Sequence, residues 1–244
     1  MTKNFTYQYL IDSESWPEIY VAIKNKVNPD TLKNEQGLTP VGRAVLNEST
    51  VILTNLLSLG QNPNPFPLKN GVLYSPLWAS LYRNYENHVE TLLKYDADPN
   101  IFDYETGQPP LYYSSIKNMY KASIALINYG AKTDPVWDSK SLHESPMHIW
   151  IKNIAKNTAD GNNYEQIKIL DAFLKHNVKL NTYNKENLNI IESIEENLPH
   201  ILYSDNQYIQ QEMARIKIII EKRMIYEKEQ STINLEEHKD KKRL

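Results

Sequence analysis

The side chains able to do chemistry are few and scattered. Six histidines stand at His88, His143, His148, His176, His200 and His238. Only His143 and His148 are near neighbours, and a spacing of five puts them on different faces of a helix, which is wrong for a shared metal. The 244 residues include no cysteine, which excludes disulfides, thiolate zinc sites, cysteine nucleophiles and Cys-ligated iron–sulfur clusters. Asp160-Gly161 reads as a loop, where Asn162 and Asn163 replace the carboxylates that calcium would need. The pairs Glu195-Glu196 and Glu236-Glu237 read as solvated helix faces. No G-x-S-x-G elbow, P-loop, H-E-x-x-H helix or dinucleotide fingerprint occurs. The expectation is a non-enzyme with no catalytic residue, no metal and no cofactor.

Charge and hydropathy narrow the partners. The 27 basic and 30 acidic side chains give a net charge of −3, without the basic excess of a phosphate-binding domain, so no nucleic acid is expected. No apolar run approaches the ~18–20 residues of a membrane span. The first residues reach Asp12, Ser13 and Glu14 before an apolar signal region could form. These readings predict a cytoplasmic protein with no membrane contact.

The elements that would position any site follow from a repeat. Thr39-Pro40-Val41, Ser75-Pro76-Leu77, Pro109-Pro110-Leu111 and Ser145-Pro146-Met147 recur at spacings of 36, 34 and 36 residues. Sixteen residues after each of the first three register prolines (Pro40, Pro76 and Pro110) comes an apolar pair: Leu56-Leu57, Leu92-Leu93 and Leu126-Ile127. Three residues further lies a chain-reversal position: Gly60, Asp96 and Gly130. A small polar residue before proline is a favoured helix entry, since its oxygen caps free N–H groups and proline fills the first helical position. Each unit therefore predicts a short helix, then a longer one carrying the apolar pair, stopped by a left-handed residue. Such pairs cannot bury their apolar stripes alone and must stack.

These residues resemble ankyrin repeats. The pattern G-x-T-P-L-H-x-A-A followed by L-L-x-x-G-A-D-x-N is matched by Gly37-Leu38-Thr39-Pro40-Val41-Gly42-Arg43-Ala44 with Leu56-Leu57-Ser58-Leu59-Gly60. It is matched again by Ser75-Pro76-Leu77-Trp78-Ala79 with Leu92-Leu93-Lys94-Tyr95-Asp96-Ala97-Asp98-Pro99-Asn100. Only Ser145-Pro146-Met147-His148 keeps the motif histidine, whose expected role is a structural hydrogen bond to backbone. The resemblance implies an all-α ankyrin-repeat solenoid of about five repeats with terminal capping helices. Residues 1–33 form an N-terminal capping repeat in this reading, and 34–186 hold four repeats with an insertion near 154–166. Residues 187–229 form a degenerate repeat and a capping helix, and 230–244 a charged, frayed tail.

The resemblance also implies where binding occurs: on hairpin tips and the exposed side of the first helices. Mapped onto this sequence, the expected partner-binding residues are Phe66, Tyr74, Tyr82, Arg83, Phe102, Tyr104, Tyr113, Lys117, Trp137 and Lys152. Trp150 is expected on the same side, whereas Trp78 and Tyr112 occupy the motif histidine position and are expected to be structural. Tyr, Trp and Arg at exposed positions have the composition of interface hot spots. The implied partner is another protein, a toxin or effector, met by a chain that is a monomer when unbound. Small free-standing proteins of this kind include bacterial immunity proteins that neutralise a co-encoded toxin, as in type VI secretion. The alternative is a secreted effector or scaffold engaging host or regulatory proteins.

Overall fold

Proline and a polar cap open the helices where the sequence places them. The structure is a computed structural model that describes residues 16–26, 33–64, 66–68, 73–133, 144–158, 164–176, 178–180, 182–199 and 207–241. The chain forms two compact units, divided between Ala131 and Lys132.

The first unit begins with α1 (Trp16–Lys24) and continues with α2 (Pro40–Ala44) and α3 (Thr50–Ser58). A two-residue antiparallel ladder follows, β1 (Phe66–Pro67) with β2 (Leu73–Tyr74). Next come α4 (Pro76–Tyr82), α5 (Glu86–Lys94), α6 (Pro110–Ile116) and α7 (Tyr120–Asn128). The Thr39 hydroxyl accepts from the Gly42 N–H at 3.1 Å and the Ser75 hydroxyl from the Trp78 N–H at 3.3 Å, so both caps act as predicted. The three chain-reversal residues all adopt the left-handed conformation, with φ of 78° at Gly60, 66° at Asp96 and 88° at Gly130.

Each short helix packs on the longer one that follows it, and the longer helices α3, α5 and α7 pack in succession. Their apolar pairs, Leu56-Leu57, Leu92-Leu93 and Leu126-Ile127, are all buried. Polar side chains also join neighbouring repeats. The Asn64 amide donates to the Asp96 carbonyl at 3.2 Å, and the Asn100 amide to the Gly130 carbonyl at 3.1 Å. The Ala122 N–H donates to Glu86 at 2.8 Å, which satisfies an orphan donor at the start of α7, where the N-cap Met119 offers no side-chain acceptor.

The second unit holds α8 (Pro146–Thr158), a 3₁₀ turn at Tyr164–Ile167, α9 (Lys168–Lys175), α10 (Ile190–Asn197) and α11 (Gln207–Lys241). Here α8 packs on α9 and α10, and α11 packs on both of those. The buried Trp150, Phe173, Ile190, Ile194, Met213, Ile216 and Ile220 form its core. His148 plays the structural part expected of it: it is fully buried, with Nδ1 2.8 Å from the Ser145 hydroxyl and Nε2 3.2 Å from the Leu188 carbonyl.

Two expectations change. Part of the insertion is helical: α8 has 13 residues where α4 and α6 have 7, so the extra sequence first lengthens the helix. The rest, 159–163 with Asp160-Gly161, lies outside the described residues. The expected frayed tail is also helical as far as Lys241, because Glu, Lys and Gln are good helix formers whether or not they are buried. Among the described residues no helix is long and apolar enough to cross a membrane, and no group of three or more His, Asp or Glu is placed to hold a metal.

Candidate functional site

The first unit carries an open groove of about 590 Å³ between α4 and the hairpin that precedes α6. Its walls include Leu46, Tyr74, Trp78, Tyr82, Phe102 and Tyr104, with Arg83 and Glu105 adding opposite charges. Helix register explains the clustering: Trp78 and Tyr82 are four apart on α4 and their ring centroids lie 5.5 Å apart. Tyr113, one repeat on from Ala79, stands edge-on to both Trp78 and Tyr82 at 5.3 Å. The Lys117 ammonium, a further turn along, sits 5.7 Å from the Tyr113 ring centroid, a cation–π contact.

The hairpin is fixed from below. Trp78 is buried and its indole N–H donates to the Ile101 carbonyl at 2.8 Å, the same kind of bond that His148 makes in the second unit. Asp103 closes the turn: its N–H donates to the Gln108 carbonyl at 2.9 Å, and its carboxylate accepts from the Thr106 N–H at 2.8 Å and hydroxyl at 2.6 Å. Burial pushes the Asp103 carboxyl up, but the hydrogen bonds from Thr106, Tyr82 and the backbone outweigh it and hold it below its usual value. Its charge is thus spent on holding the loop and Tyr82. Asn34 and Asn184 close their turns similarly, accepting from Leu38 and Leu188 N–H groups at 2.8 Å.

The phenols of Tyr74, Tyr82 and Tyr113 are held protonated at neutral pH. Burial pushes Tyr74 up to about 12, with Arg83 opposing, and its hydroxyl donates to the Gly42 carbonyl at 3.1 Å. Burial also raises Tyr82, helped by the bond to Asp103 and that residue's charge, and raises Tyr113 in the same sense. These rings offer apolar faces and neutral hydroxyls, which suits contact with a polypeptide.

Of the residues expected at the binding face, Tyr82, Phe102 and Tyr104 are 50%, 45% and 74% exposed, with Arg83 and Lys117 exposed beside them. Tyr74 and Tyr113 are half-buried. Phe66 differs: it is buried, packed at 5.3 Å against Tyr74 with the rings tilted by 36°, and its ring end fills the space beside Gly42. Gly42 occupies the motif histidine position, so Phe66 from the next hairpin fills the volume left there. Trp150, expected on the same side, is fully buried in the core of the second unit. Its α8 position faces inward.

Lys152 belongs to the second unit and is already engaged. Its ammonium donates to Glu144 at 2.6 Å and to Glu186 at 3.0 Å. Burial lowers its pKa, but these two carboxylates outweigh that and raise it. Trp137 lies outside the described residues. Sequence reasoning missed Leu46, 38% exposed on the groove wall, and Asp103 beneath it. The signal for Asp103 was available: an Asx residue recurs six or seven positions before a helix entry at Asn34, Asp103 and Asn184.

No family model matches the chain. An ankyrin repeat protein of fowlpox virus (strain NVSL) is 26% identical over 127 residues, which is 52% of this chain and 28% of the viral protein. The chain therefore spans under a third of that relative's length. The crystal structure of an ankyrin repeat domain from Acinetobacter baumannii AYE superposes with a TM-score of 0.56 at 14% identity, covering 88% of this chain and 96% of that one. The sequence repeat, the stacked helix pairs and this likeness agree: the fold is that of ankyrin repeats.

Proposed function

We propose that this chain, an array of ankyrin repeats, is a non-catalytic module that grips another protein through the aromatic groove of its first unit. The observation that carries this is the exposed row of Tyr82, Phe102 and Tyr104 with Arg83 at its edge. Large rings with few rotors cost little entropy to immobilise, and an arginine adds directional donors, so the row has hot-spot composition. The loop beneath is already hydrogen-bonded through Asp103 and Trp78, so little order remains to be imposed on binding.

The finer reading is an immunity protein, in which the groove occludes a secreted toxin or holds it in an inactive shape, as in type VI secretion. Co-expression with a toxin-like reading frame adjacent to its gene is the test. Restored growth and a stoichiometric complex are expected, and Tyr82→Ala with Tyr104→Ala should weaken that complex at least ~100-fold. Failure to co-purify removes the immunity reading; full affinity in the double variant moves the contact elsewhere. A second reading, an effector or scaffold that engages host or regulatory proteins, draws support from the viral origin of the fowlpox relative. It predicts a complex with a host protein that the same double variant loses.

A further inference from the structure

Helix α11 has two apolar faces, and the second unit uses one. Met213, Ile216 and Ile220 are buried against α9 and α10, and the Arg223 guanidinium donates to the carbonyls of Leu174 at 3.1 Å and Val178 at 2.9 Å. Ile218, Ile225, Tyr226 and Ile233 are instead 48%, 59%, 61% and 46% exposed. At 3.6 residues per turn these four fall within an arc of about 100°, centred about 160° from the buried face. A solvated helix gains nothing from such a stripe, and a row of large apolar side chains on a regular element marks an interaction surface.

The charges on this stripe say what covers it. Lys222 and Glu229 lie within the arc, both are exposed, and neither has an ion pair among the described residues. The six residues are arranged symmetrically about the peptide between Ile225 and Tyr226: Ile218 mirrors Ile233, Lys222 mirrors Glu229, and Ile225 mirrors Tyr226. An antiparallel copy of the same helix therefore sets apolar against apolar and cation against anion on both sides of a two-fold axis. A parallel copy would set Lys222 on Lys222 and Glu229 on Glu229. Arg215, at one end of the stripe, is already held by Asp171 and Glu212 and adds no free charge.

We propose that this face of α11 is a self-association surface, on which two copies of the chain pair as antiparallel helices about a two-fold axis at Ile225 and Tyr226. The pattern is its own complement, which is the requirement of an isologous contact. From Ile218 to Ile233 the contact runs about 22 Å, with helix axes about 8–10 Å apart. That is a small interface, so association is weak and concentration-dependent. It is independent of the groove.

Light scattering of the full chain from about 5 to about 500 µM reads the outcome directly. The mass should rise from 28.4 kDa toward twice that value. Lys222→Glu should weaken association at least ~10-fold by opposing Glu229, and adding Glu229→Lys should restore it. Because the chain has no cysteine, introduced thiols give an unambiguous geometry. Oxidation should link Ile218→Cys/Ile233→Cys into a covalent dimer and leave the single variant Ile218→Cys monomeric. All these positions are exposed, so circular dichroism melts should stay unchanged. A chain that remains at 28.4 kDa at the highest concentration gives the face to some other protein and overturns the proposal. So does cross-linking by Ile218→Cys alone, or a charge swap that restores nothing.

Discussion

At Gly42 a β-carbon would come within 2.6 Å of the Phe66 ring. Gly42→Ala should therefore destabilise the first unit by ~1–2 kcal/mol, less than a full overpacking penalty because alanine favours the helix by up to ~1 kcal/mol. With Phe66→Leu in place the clash goes and the same substitution should become neutral or better; urea unfolding of the parent chain, the two single variants and the double variant measures the coupling. The sequence offers Phe66 as an exposed ring at a hairpin tip, because the void that draws it inward lies 24 residues earlier and is reached only by the path of the chain. Tyr82, Phe102 and Tyr104 were legible, since helix register and hairpin position alone leave them outside. Two buried histidines make stability depend on pH. Burial lowers both His88 and His148, although His88 bonds the Asn47 backbone and His148 the Leu188 carbonyl. The unfolded chain takes up protons below about pH 6.5 where the folded chain resists them, so stability is full above that value and declines as pH falls beneath it. The melting temperature should drop from pH 7.5 to 5, and His88→Leu should flatten part of that slope.

Among the elements, the turn after each longer helix is the best test of the repeat. Gly60, Asp96 and Gly130 share one register and one conformation, but aspartate carries a β-carbon into a region where it is strained. Asp96→Gly should stabilise the chain by about 0.5–1 kcal/mol and Gly130→Ala destabilise it by about 1–2 kcal/mol, read as shifts in the thermal midpoint. At Gly130 no atom lies within 4 Å of the added carbon, so any loss reports backbone conformation alone. Helix starts were readable because Thr39, Ser75 and Ser145 stand before proline, and Asn189 opens α10 with a capping box to Glu192. Helix ends were less so. The charged run after Glu229 signals solvent, and solvent exposure does not say whether a backbone is helical. The second apolar face of α11 is hard to read from the sequence for a related reason: periodicity finds the stripe that packs, and Ile218, Ile225 and Ile233 fall between its members.

For the molecule as a whole, gripping a partner and pairing with itself are assigned to different units, so variants should separate them. Tyr82→Ala with Tyr104→Ala is expected to weaken partner binding at least ~100-fold while leaving the chain folded and the concentration-dependent mass unchanged. The melting temperature should fall by a few degrees, because Tyr82 gives up its ring contacts with Trp78 and Tyr113 and its bond to Asp103. The Lys222→Glu variant should do the reverse. The bonds from Asn64 to Asp96 and from Asn100 to Gly130 have a consequence for how such a chain changes over generations. Each reaches forward by one repeat to the same backbone atom of an equivalent turn, so a duplicated segment would arrive with its fastenings already in place at both ends. The array can lengthen in whole steps by copying itself, and a fractional insertion would leave one amide with nothing to hold.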